Sequence, residues 1–203
     1  MSESSAWKEV KTKMFARIKE IEKSVPGYDY SEKHHVIFTD DRIKDVILDE
    51  LRKSKKILFW IVETAYEQQK EGLVKEAHSL RDDIDIFLDH VKIKHHSSAW
   101  PETIPQEFLQ KIVMHDSEIL REIPKLNSLL DEIKKMALVI ERPGASLFDR
   151  EQLDLLNRKL LEAKKRADDL MRLFKEREAL FELKKLHKER ILEDLRSEFD
   201  ARF

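Results

Sequence analysis

Glycine is scarce in this sequence, with three in 203 residues where an average chain carries roughly 7%. Tight turns, phosphate-binding loops and strand-to-helix corners use positive φ, which glycine supplies without steric cost. Three are too few for a Rossmann fold, a P-loop or a β-sandwich. Cysteine is absent altogether, which excludes a disulfide framework, a thiol nucleophile and thiolate-bound zinc. Long hydrophobic runs are missing as well: Ile57 to Val62, the longest wholly apolar stretch, is far short of the roughly 20 residues that span a bilayer. The opening Met1-Ser2-Glu3-Ser4-Ser5 has neither the basic and apolar regions of a signal peptide nor a lipidation signal. Nor is one sign of charge in excess, since 39 basic residues face 41 acidic ones. A dedicated nucleic-acid binder needs a basic surplus to displace counterions, so no specific nucleic-acid partner is expected. These absences predict a soluble cytoplasmic protein.

What is present is charge and helix formers. Charged residues make up 39% of the chain and hydrophobic ones 41%, the composition of long helices rather than of an α/β sphere. The apolar spacing predicts an all-α fold, an elongated antiparallel bundle of about five helices forming one domain over 1–203. Trp7, Val10, Met14, Ile18, Ile21 and Val25 share one face of a helix over 1–25, stopped by Pro26-Gly27. Residues 26–40 read as an ordered connection holding two tyrosines. Helices over 41–71 and 73–97 form an αα-hairpin closed at Gly72, the second carrying a heptad row of Leu73, Ala77, Leu80, Ile84, Phe87 and Val91.

Thr103 and Gln106 form a capping box, with Pro105 in the first turn, opening a helix over 103–141 that Pro124 should kink or split. After the turn at Arg142-Pro143-Gly144, a helix over 147–203 runs on without proline or glycine for about 80 Å. Its row of Leu153, Leu156, Leu160, Ala163, Ala167, Leu170 and Phe174 is coiled-coil-like, blurs from Arg177 to Arg190, and resumes at Leu192. This helix outreaches the others, so part of its apolar row, taken as Phe174, Phe181, Leu192, Leu195 and Phe199, is the expected interaction surface.

Few constellations carry chemistry. On the 73–97 helix His78, Asp82, Asp85, Asp89 and His96 fall at three- and four-residue steps away from the apolar row, a pattern of carboxylates and imidazoles suited to a divalent metal. Asp41, Asp45 and Asp49 form a second acidic row. With Asp85-x-x-x-Asp89, this spacing resembles, over those short motifs alone, the acidic motifs of PhoU-like helical-bundle regulators, and the resemblance implies a metal-responsive role. The two Glu-x-x-His motifs that a ferritin-type di-iron site requires are not both present. His34-His35 and His95-His96 are paired histidines, read as exposed, that could bind metal or sense pH together if the fold joined them. Asp116 interrupts an apolar row, and a carboxylate there costs several kcal/mol unless it is paired. It is expected to meet a cation, sit at the end of the bundle or form a register-setting polar layer. Basic clusters at Arg52-Lys53-Ser54-Lys55-Lys56, Lys164-Lys165-Arg166 and Lys184 to Arg190 alternate with acids, as solvated helix faces do.

No catalytic set and no resident cofactor emerge. The sequence is read as a non-catalytic scaffold or adaptor that binds a protein partner or forms a homo-oligomer through its last helix. A metal-responsive regulatory bundle and a membrane- or polymer-remodelling coiled-coil protein, docking its basic clusters on an anionic membrane surface, are the alternatives.

Overall fold

A computed structural model of the chain describes residues 5–93, 105–139 and 148–200, with backbone alone at 5, 33, 139, 148–150 and 182–200. Six helices account for nearly all of it: α1 (Ser5–Lys13), α2 (Phe15–Ser24), α3 (Lys33–Glu67), α4 (Glu71–Lys92), α5 (Gln106–Val139) and α6 (Phe148–Asp200). Among the described residues there is no strand, and no helix is long and apolar enough to cross a membrane. The architecture is an all-α helical bundle. It packs as two compact units, one of Met1–Ile43, Lys94–Glu118 and Leu173–Phe203, the other of Lys44–Ile93 and Ile119–Arg172. Because α3, α5 and α6 contribute to both, no linker in the sequence marks the division.

In the second unit the predicted rows are the core. Ile47, Leu51, Leu58 and Ile61 of α3, Leu73 to Val91 of α4, Ile123 to Ala137 of α5 and Leu156 to Leu170 of α6 supply fully buried side chains, worth about 1.5–3 kcal/mol for each large one. Bonds on the flanks order the helices. Lys55 joins α3 to Asp85 of α4 at 2.6 Å, Lys164 joins α6 to Ser79 of α4 at 2.8 Å, and Lys159 joins α6 to Glu132 of α5 at 2.9 Å. Ser54 of α3 donates to Asn127 of α5 at 2.6 Å. The order around this unit is therefore α3, α4, α6, α5. Ser54 faces Asn127 and Gln68 donates to the Ala137 carbonyl, so the neighbours α3 and α5 run parallel while chain-consecutive helices run antiparallel.

The first unit gathers α1, α2, the segment after Pro26, the start of α3, and the facing stretches of α5 and α6. Its centre is aromatic: Trp7, Tyr28 and Tyr30 are buried, with ring centroids 5.1–6.2 Å apart. Gly27 takes φ 75° after α2, the left-handed step that lets the chain turn toward this cluster.

Several boundaries differ from those the sequence predicts. The first helix is two, because Met14 leaves helical geometry at φ −116° and ψ 23°. α3 begins at Lys33, about two turns before Asp41, so His34-His35 lies in its first turn and not in a loop. The reason is local: Asp29 is tied to Thr39, its N–H donating to Oγ1 and its carbonyl accepting from that hydroxyl. Gly72 does not end a helix but sits in the first turn of α4. α3 instead closes through Gln69 at φ 55°, with Gln69 N–H on the Tyr66 carbonyl and Lys70 N–H on the Ala65 carbonyl, a Schellman arrangement. Pro124 does not split α5, which runs through it as one helix. Thr103 and the 142–144 turn lie outside the described residues.

Candidate functional site

The most unusual chemistry is buried in the first unit. Asp116 of α5 and Arg177 of α6 are both fully buried, with Arg177 Nε 2.5 Å from Asp116 Oδ1. The other carboxylate oxygen accepts from the hydroxyls of Tyr28 at 2.7 Å and Tyr30 at 3.0 Å. Arg177 Nη1 donates to Asp40 of α3 at 2.6 Å and to Glu178 at 2.8 Å, and Nη2 donates to Tyr30 at 3.1 Å. The guanidinium also lies 4.8 Å from the centre of the Phe181 ring, which meets Phe108 edge-on. His115, adjacent in sequence, stands apart from these bonds: its Nδ1 is buried without a hydrogen-bond partner.

Burial and neighbouring charge keep the two tyrosines neutral and Arg177 charged. Burial raises the pKa of Tyr28 and Tyr30 well above 10, and the Asp116 charge adds to it. For Arg177 burial alone pulls the pKa down, but the Asp116 and Asp40 carboxylates reverse this and leave it raised well above its ordinary value. A general acid or base works best with a pKa near the operating pH, and these three groups move away from it.

The other predicted residues fall elsewhere. His78 is half-buried, Asp82 is largely exposed beside Arg81, Asp85 pairs with Lys55, and Asp89 pairs with Lys92, whose hydrogen bond lowers the Asp89 pKa. The stripe follows one helix and its described members do not converge on one point; His96 and the His95-His96 pair lie outside the described residues. Among the described residues the convergent set is Glu32, His34 and His35, whose ligand atoms lie within 4.8 Å of one another. Phe174 and Phe181, expected on an interaction surface, are buried within the chain, because α6 packs them beneath the first unit's own core. The side chains of Leu192, Leu195 and Phe199 lie outside the description. Of the basic clusters, Arg52 pairs with Asp49, Lys53 with Glu50, Lys164 with Asp83 and Arg166 with Glu162.

Among the described residues, the exposed aromatic side chains of the second unit lie on α3. Phe59, Trp60 and Tyr66 are 49%, 47% and 76% exposed, on the arc opposite the buried Leu58, Ile61 and Ala65. Lys134 sits 5.1 Å from the centre of the Trp60 ring. Beyond Tyr66, at the α3–α4 turn, opens a cleft of about 650 Å³ lined by Val74 and by Lys70, Lys75, Glu67 and Glu71. Its two lysines and two glutamates balance, so the lining carries no net charge. Comparison with family models, with curated proteins and with solved structures gives no match.

Proposed function

We propose that this chain is a non-catalytic interaction protein, and that its outer α3 face binds a second copy of the same chain. One observation carries the reading. Along that face the exposed residues run Arg52, Lys53, Lys56, then Phe59 and Trp60, then Glu63, Tyr66 and Glu67, basic at one end, aromatic in the middle and acidic at the other. Such a face is complementary to itself when two copies lie antiparallel about a twofold between Phe59 and Trp60. Arg52 then opposes Glu67 of the second copy, Lys56 opposes Glu63 of the second copy, and the aromatic rings meet at the centre.

The magnitude sets how tight this can be. Aromatic side chains carry 150–250 Å² each, so covering the exposed half of three on each copy removes on the order of 600 Å² from water. Stable specific interfaces remove about 1,200–2,000 Å². Flanking charged stems must add to the contact, and micromolar association is the expected range. The four hydrogen bonds that Arg177 donates within the cluster, and tyrosine and arginine pKa values displaced away from neutral, support a structural role there and the non-catalytic part of the reading.

Sedimentation of the full chain between about 1 and 100 µM tests the proposal. The expected outcome is a concentration-dependent dimer, lost in Phe59→Ser/Trp60→Ser and weakened by Lys56→Glu. Adding Glu63→Lys to Lys56→Glu should restore it, because the exchanged charges oppose each other again across the twofold. A monomer throughout the range, or a dimer indifferent to the aromatic pair, would end the idea.

A further inference from the structure

We infer that Glu32, His34 and His35 form a binding site for a divalent transition metal of the zinc class, with Asp29 positioning His35. The site is independent of the α3 interaction face and joins the first turn of the same helix to the residues just before it. The convergence of ligand atoms within 4.8 Å is the first observation. Metal–nitrogen and metal–oxygen bonds of 2.0–2.2 Å need ligands closer together than that, and side chains this exposed reach it by small rotations. His34 is 64% exposed, His35 39% and Glu32 28%, so a hydrated ion enters without disturbing the core.

The second observation is a support already in place behind His35. Asp29 Oδ2 lies 2.9 Å from His35 Nδ1, and Ser31 Oγ lies 3.0 Å from the same nitrogen. Asp29 is itself fixed: Ser31 donates to it from its N–H at 2.8 Å and from its hydroxyl at 3.0 Å, and Thr39 holds its backbone. An Nδ1–H donated to Asp29 sets the imidazole tautomer and leaves the Nε2 lone pair for a metal, the carboxylate–histidine–metal relationship that orients ligands and raises their basicity.

The donor set selects the ion. Two imidazoles and one carboxylate suit zinc, cobalt or nickel, whereas magnesium and calcium take oxygen ligands. Three protein ligands leave the remaining positions to water or to an incoming group. The amino end of the α3 dipole opposes a cation, and the Asp29 and Glu32 carboxylates offset it. A metal held here links residues 29–32 to the first turn of α3, directly after the two tyrosines that hold Asp116.

The test uses the full chain without a histidine tag. Zinc binding is followed by calorimetry, and cobalt binding by its visible absorption, which reports nitrogen and oxygen ligation directly. The expected result is one ion per chain at this site, binding lost in His34→Ala/His35→Ala and weakened about 10–100-fold in Asp29→Asn. Circular dichroism checks that each variant is folded, and Glu32→Gln, expected to weaken binding at least tenfold, decides the matter if the histidine variant is not. No binding by the wild-type chain overturns the assignment. So does binding unchanged in these variants, which places the ion on other histidines, and so does magnesium binding as tightly as zinc.

Discussion

Arg177 Nε lies 2.5 Å from Asp116 Oδ1, and neither side chain has any exposed surface. The two residues occupy row positions on antiparallel helices where leucine or isoleucine would ordinarily stand, so α5 and α6 can meet here in only one register. Slipping either helix by one residue would strand a charge among Leu109, Ile112 and Phe174. A buried ion pair is weak evidence of net stabilisation, because desolvating both charges cancels most of their attraction, but breaking one open is costly.

That asymmetry gives the first prediction. Asp116→Leu leaves a buried guanidinium and two tyrosine hydroxyls short of an acceptor, and should cost about 3–5 kcal/mol in urea unfolding. Asp116→Leu with Arg177→Met removes both charges. Asp40 and Glu178, with side chains 15% and 12% exposed, retain a path to water, so the double variant should be more stable than Asp116→Leu alone. A single-variant cost below about 1 kcal/mol would mean that the cluster relaxes or admits water.

Alkaline pH provides the second. The pKa values of Tyr28 and Tyr30 are raised well above 10 in the folded chain. A raised folded pKa means that the folded state holds its proton more tightly than the unfolded one. The contribution is therefore complete below about pH 10, the ordinary tyrosine value, and is lost as pH rises toward the folded pKa. Tyrosinate absorbance from these two residues should appear together with the loss of helical dichroism, and a Tyr66→Phe variant isolates their signal. Ionisation of both while the helices stay intact would contradict the burial argument.

How much of this was legible in the sequence depends on periodicity. The rows from Leu73 to Val91 and from Leu156 to Phe174 were readable because helical spacing alone separates core from surface. Asp116 stands out as the exception in its row, whereas Arg177, equally an exception, falls where the row of α6 loses its regularity. If α5 and α6 pair antiparallel about the turn that the sequence predicts near Pro143-Gly144, the partner of Asp116 falls on α6 within about two turns of Arg177. Tyr28 and Tyr30 could not be assigned, since contacts between residues 86 and 88 positions apart leave no local pattern. The α3 face was hidden for another reason: in Ile57 to Val62 every residue is apolar, and only the packing shows that Phe59 and Trp60 point away from the core.

A polar layer in the second unit allows a comparison. Ser54 donates to Asn127 Oδ1 at 2.6 Å, and Asn127 Nδ2 donates to the Glu50 carboxylate at 2.8 Å and to its carbonyl at 3.2 Å. Asn127→Ala leaves the Ser54 hydroxyl and part of Glu50 with fewer partners, at about 1–3 kcal/mol. Hydrogen exchange should show protection falling first in the second unit, around α3 and α5 near Ser54, whereas Asp116→Leu should loosen the first unit. Uniform loss of protection in both variants would show that the two units open as one.

The α3–α4 turn inverts the usual use of glycine. Gln69 adopts φ 55°, a left-handed conformation that costs a residue bearing Cβ about 1–2 kcal/mol, and glycine there is the ordinary solution. Gly72 meanwhile stands in the first turn of α4, where an added Cβ meets nothing within 4 Å. Gly72→Ala should therefore stabilise by about 0.4–1 kcal/mol, chiefly by restricting the unfolded chain. Gln69→Gly relieves the strain but frees the unfolded chain, for a smaller net gain of about 0.5 kcal/mol. The two positions share one short turn, so their effects need not add, but the double variant should melt at least as high as Gly72→Ala alone, by about 2–4 °C for each kcal/mol gained in a chain of this size. A drop in melting temperature on Gln69→Gly would mean that the Gln69 side chain supplies a contact worth more than the strain it carries.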